Sequence, residues 1–134
     1  MLLINNKQYR IIKKEIKLVE SKSNQIDGYS LLVNINFDEL DKENYIPGYI
    51  HFYLDFTKIN NISYFENKKY KVNPFGLDKR IDMIEIYDIN NFIDYIDSNI
   101  ILEFENIINN QINMKLSIND ESIKIDFNDS MDII

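Results

Sequence analysis

The chain has 134 residues, 45% hydrophobic and 28% charged, a composition that suits one folded domain over 1–134 and excludes a disordered chain. Isoleucine supplies 26 residues and asparagine 19, while alanine, cysteine and tryptophan are absent, so disulfides, thiolate metal sites and cysteine nucleophiles are excluded. The net charge of −7 is uneven, with residues 1–22 summing to +4, 23–65 to −4, 66–80 to +3 and 81–134 to −10.

A/T-rich codons favour the same residue types, so single asparagines are discounted as signals, whereas Ile, Tyr and Phe genuinely favour strands. From the N-terminus, Leu2 to Ile4, then Asn5-Asn6-Lys7, then Tyr9 to Val19 reads as a hairpin with a long second strand, with Ile12, Ile16 and Leu18 on its inner face. The first residues lack the apolar centre and cleavage site of a signal peptide, and no apolar run approaches the roughly 20 residues of a membrane helix. A cytoplasmic protein without membrane association is expected.

Tyr29, Leu31, Val33, Ile35 and Phe37 alternate with smaller or polar residues, the period of a half-buried strand, and Ile50, Phe52, Leu54 and Phe56 repeat it. Pro47-Gly48 and Asn73-Pro74-Phe75-Gly76 mark loops. Over residues 88–97, Ile89, Phe92, Ile93 and Ile96 fall at helical spacing behind Asp88, a suitable N-cap, and predict one short helix. Residues 100–108, 111–118 and 122–127 then alternate around Asn109-Asn110 and Asn119-Asp120-Glu121-Ser122, which predicts an antiparallel meander. The sum is an all-β domain, a mainly antiparallel sandwich or barrel of eight to ten strands with one late helix.

Candidate chemistry is sparse. The sole histidine, His51, shares the face opposite the Ile50 set with Tyr49, Tyr53 and Asp55. Asp55 could tune His51 as a base, but a lone imidazole has no second histidine or cysteine to complete a triad or metal site, so the strip reads as a binding surface in which tyrosine supplies rigid amphipathic area. Glu103 and Glu105 sit two apart on one strand face, a separation of roughly 6.6 Å, near the carboxylate spacing of inverting glycosidases. Nothing in the local sequence separates their ionisation, so they too are read as binding rather than catalytic residues. Asp126, Asn128, Ser130 and Asp132 imitate the start of a calcium loop, yet Met131 stands where that loop needs glycine. Three glycines cannot build a phosphate cradle, and no serine lies in a nucleophile turn. No metal or cofactor is expected, and no enzymatic activity.

The lysine-rich stretches at 13–17 and 68–71 are interleaved with apolar residues and read as solvated strand faces, not a nucleic-acid footprint. The acidic C-terminal part would repel phosphate and steer a basic partner. In this general character the chain is similar to many bacterial immunity proteins that neutralise a toxin, and that similarity implies a non-enzymatic inhibitor of a basic protein. Two alternatives are a barrel carrying a small apolar ligand and a structural β-domain of a phage or other assembly.

Overall fold

The computed structural model describes residues 1–23, 26–42, 47–57, 61–72, 81–88, 91–94, 96 and 98–134, with the side chains at 21–23, 26–28, 55–57, 81–84 and 91 outside the description. It is almost entirely antiparallel β: β1 (Leu2–Ile4), β2 (Lys7–Ser23), β3 (Ile26–Glu39), β4 (Gly48–Thr57), β5 (Lys69–Val72), β6 (Ile81–Asp88), β7 (Asn91–Ile93), β8 (Ile100–Ile108), β9 (Gln111–Asn119) and β10 (Lys124–Ile133). A 3-10 turn, Ile62–Phe65, precedes β5, with the Asn61 side chain accepting from the Ser63 amide at 3.0 Å. The expected 73–76 loop lies outside the described residues.

All ten strands form one sheet in the order β5-β8-β9-β10-β1-β2-β3-β4-β6-β7. Among the described residues β5 and β7 are its edges, so the sheet is open and the closed barrel is not formed. Buried side chains from both halves, including Leu31, Ile35 and Phe52 on one side and Leu102, Met114 and Ile125 on the other, belong to one apolar cluster. A single sheet can gather both halves around one core only by bending over its inner face, which gives the layering of a sandwich without a break between the layers.

Hairpin turns explain the asparagine content in part. Among the described residues the non-glycine positions with positive φ are Asn5, Asn6, Asn67, Asn109 and Asn110. The pairs Asn5-Asn6 and Asn109-Asn110 each put two such residues between adjacent strands, the geometry that matches strand twist and that asparagine tolerates better than any residue but glycine. Gly48 is needed for a different reason: a Cβ there would lie 2.8 Å from the Tyr87 carbonyl oxygen and closer still to the Phe37 ring.

Two expectations fail. No helix forms over 88–97; instead Ile86 pairs with Ile93, Tyr87 with Phe92 and Asp88 with Asn91, while Ile89, Asn90, Tyr95 and Asp97 lie outside the described residues. Phe92 is exposed and Ile93 half-buried, whereas a helix would have buried both. Ten residues rich in isoleucine, aspartate and asparagine make a poor isolated helix, and the open edge of β6 offers a hydrogen-bonding partner. In the N-terminal strand, Ile12 is 49% exposed rather than on the inner face. A bulge between Ile11 and Lys13 inserts one residue against β3 and reverses the alternation, so Tyr9 and Ile11 face inward before it and Ile16 and Leu18 after it.

The bulge also turns Lys14 inward, opposite Ile35. There its ammonium meets the Asp129 carboxylate of β10 at 2.9 Å. Beyond the short β1, strands β10 and β2 close on each other directly, Asp132 beside Glu15 and Ile133 beside Ile16. Both run antiparallel to β1, so this pairing is parallel, and the Lys14–Asp129 pair fills the point where the two ladders meet. Burial pushes the Asp129 carboxyl upward, but Lys14 and the Ser130 amide outweigh it and hold the group below the ordinary carboxylate range.

Candidate functional site

The alternation in β4 puts Ile50, Phe52 and Leu54 in the core with no measurable exposure and leaves Tyr49, His51 and Tyr53 half-buried on the outer face. Asp55 pairs through its backbone with Ser30, and its side chain lies outside the description. His51 meets the Tyr53 ring edge-on at 5.4 Å.

The neighbouring strands complete the surface. Across β3 stand Asn36 opposite Tyr49 and Asn34 opposite His51, with the Asn34 amide donating to Asn36 Oδ1 at 3.3 Å. Across β6 stand Tyr87 opposite Tyr49 and Glu85 opposite His51. Tyr49 and Tyr87 stack with centroids 5.6 Å apart and 22° between planes, and Phe92 on β7 extends this row to the edge at 55% exposure. The Tyr49 hydroxyl donates to Glu85 Oε2 at 3.5 Å. Burial, then the Glu85 charge and this contact, raise the Tyr49 hydroxyl above its ordinary value. A second bulge, between the pairs His51–Glu85 and Tyr53–Asp82, interrupts the ladder beside Glu85; bulges concentrate where a sheet re-aims side chains at a site.

The other half carries Glu103 and Glu105 on the outer side of β8, as their alternation with buried Leu102 and Phe104 requires. Glu103 lies in register between Lys69 of β5 and Lys115 of β9, and it lines a shallow groove of about 260 Å³ with Ile101, Lys115 and Asp126. Glu105 falls at the β8 bulge and lines a different groove with Asn67, Asn106 and Asn113. Strand β8 is six steps from β4 in the sheet, roughly 29 Å along it at about 4.8 Å per strand. The two glutamates and the tyrosine strip are therefore separate surfaces. The acidic segment 81–134 is likewise divided, with β6 and β7 at one edge and β8 to β10 in the opposite half. Asp126, Asn128, Ser130 and Asp132 all belong to β10, paired along its length with β9, so their spacing is that of a strand and not of a loop.

Glu85, Tyr87, Phe92, Asn34 and Asn36 are members of the outer surface that alternation in β4 alone does not reveal. Reading 88–97 as a helix hides the pairing of Tyr87 with Phe92. The usable signal is that Ile84 and Ile86 bracket Glu85 and precede Tyr87 with a period of two.

No family model, curated protein or solved structure matches the chain. No helix among the described residues is long and apolar enough to cross a membrane.

Proposed function

We propose that the protein is a non-enzymatic protein-binding domain, an immunity- or antitoxin-type inhibitor that covers a basic partner. The observation that carries this reading is the outer surface of β3, β4, β6 and β7, where Tyr49, Tyr87 and His51 flank Glu85 and Tyr53 adjoins His51. Tyrosines held by cross-strand stacking lose little entropy on binding, and aromatic anchors of this kind dominate the energetics of protein interfaces. The chain's net charge of −7 supports a basic partner and an association rate that falls with salt. The partner is placed in the cytoplasm with the protein itself, and nucleic acid is disfavoured by the same charge.

Affinity capture from the native host at low salt, with the wild type and a Tyr49→Ala/Tyr53→Ala variant in parallel and quantitative mass spectrometry as readout, tests the proposal. A basic protein retained by the wild type and depleted at least tenfold on the variant is expected. Recovery of acidic proteins only, or equal retention by both baits, contradicts it.

A further inference from the structure

The surface has one element that its tyrosines do not explain. Glu85 is half-buried beside Tyr87, across from His51 and in contact with the Tyr49 hydroxyl, yet no cation among the described residues pairs with it. The ion pairs among the described residues join Lys7 to Glu39, Arg10 to Asp38, Lys13 to Glu15, and Lys14 and the Met1 amino group to Asp129, so neither Glu85 nor Glu103 takes part in one. The comparison within the same molecule is Glu103, which stands between two lysines in register. A carboxylate partly withdrawn from water among ring systems keeps a strong preference for a positive partner. The adjoining tyrosine rings supply the same preference from their π-faces.

We propose that Glu85, with Tyr49, Tyr87 and His51 around it, is the seat for an arginine side chain of a basic protein partner. This rests on the binding reading above and names the group that the surface takes. Arginine fits better than lysine because its planar guanidinium stacks on an aromatic ring while its N–H fork meets both carboxylate oxygens, and because it is the more weakly hydrated cation. The ladder is interrupted by the bulge beside Glu85, and the row that Tyr49 and Tyr87 begin ends at the exposed Phe92 on the β7 edge. A guanidinium entering there would take over the weak 3.5 Å contact that Tyr49 makes with Glu85.

His51 is the only histidine in the chain, so its imidazole C–H signals give an unambiguous NMR reporter inside the seat. The probe is a capped pentapeptide with a single central arginine, titrated beside its citrulline counterpart, which keeps the shape and loses the charge. Saturable shifts at His51 with the arginine peptide and none with citrulline are expected. Glu85→Gln should weaken the arginine peptide about tenfold. Glu121→Gln, which removes the same charge from the exposed turn after β9, should leave it unchanged. Tyr87→Leu provides a second variant with Glu85 intact and should weaken it several-fold; backbone spectra confirm that each variant is folded. Equal weakening by Glu85→Gln and Glu121→Gln, equal binding of citrulline, or no saturable shift overturns the proposal. The titration contains no partner protein, so its failure leaves the capture experiment to judge the broader reading, and a failed capture with a working seat would remove that reading alone.

Discussion

On the outer side of β8 and β9 a carboxylate has amines across the ladder, Glu103 between Lys69 and Lys115; on the outer side of β4 and β6 the carboxylate of Glu85 has Tyr87, His51 and the Tyr49 hydroxyl. Both halves bury the same side of one sheet in one core, so the difference does not come from folding requirements. The first surface sets amines opposite its carboxylate, the arrangement that suits a solvated sheet face. The second holds stacked aromatic rings and a half-buried carboxylate that faces no lysine or arginine in the described register, a charge that a bound cation would stabilise. On the proposed reading, recognition belongs to the β3-β4-β6-β7 half and solubility to the β8–β10 half, and the acidity of segment 81–134 is shared between the two.

The largest test of this division lies within one strand. Phe52 is fully buried and Tyr53 is its half-buried neighbour on the opposite face. Phe52→Ala should lower stability by about 3 to 5 kcal/mol through lost burial and the cavity left behind, and chemical denaturation of that variant measures it. Next in size is Gly48→Ala, expected to cost about 1 to 3 kcal/mol because the new methyl group must displace the buried Phe37 ring or the Tyr87 carbonyl. The loss should appear as a lower denaturation midpoint with an unchanged slope.

The β8–β10 half has its own test. Asp120 accepts from the Ser98 amide and hydroxyl at 3.1 and 2.7 Å and from the Ser122 amide at 3.1 Å and its hydroxyl, tying the β9–β10 turn to the segment before β8. The Ser122 hydroxyl, then the Ser98 hydroxyl, overcome burial and lower the Asp120 carboxyl to about 2. A folded value below that of the unfolded chain means that this stabilisation is complete above about pH 4 and is lost as pH falls through about 2. Asp120→Ala should cost about 1 to 2 kcal/mol at neutral pH, and the gap between wild type and variant should shrink in melts run from pH 5 down to pH 2. The smallest expected stability effect is that of Tyr53→Ala, below about 1 kcal/mol.

Strand content and the inner face were legible in the sequence because a period of two carries over to burial without help from distant contacts. Ile112, Met114, Leu116 and Ile118 are all buried, as are Ile123, Ile125 and Phe127. What local periodicity could not show was its own interruption. The bulge at Ile12 reverses the faces of β2 and leaves no local mark, since Ile11 and Ile12 are the same residue type; it emerges only from the register against β3. The helix expected at 88–97 fails for a related reason: Ile89, Phe92, Ile93 and Ile96 satisfy a helical template by spacing, and only the exposed edge of β6 decides for a strand. The same miss concealed the outer end of the candidate surface, because Phe92 joins the row of Tyr49 and Tyr87 only once β7 is a strand. The outward placement of Tyr49, His51 and Tyr53 needed no tertiary information, since alternation with the buried Ile50, Phe52 and Leu54 dictates it.

The central claim is that one face of β4 folds the protein and the other binds a partner. Its most direct measurement is a pair of titrations of the captured basic partner, into wild type and into Tyr49→Ala/Tyr53→Ala, with thermal melts of both. The account predicts an affinity at least tenfold weaker for the variant while its melting temperature stays within a few degrees of the wild type. An unchanged affinity, or a melting temperature that falls as far as that of Phe52→Ala, would contradict it.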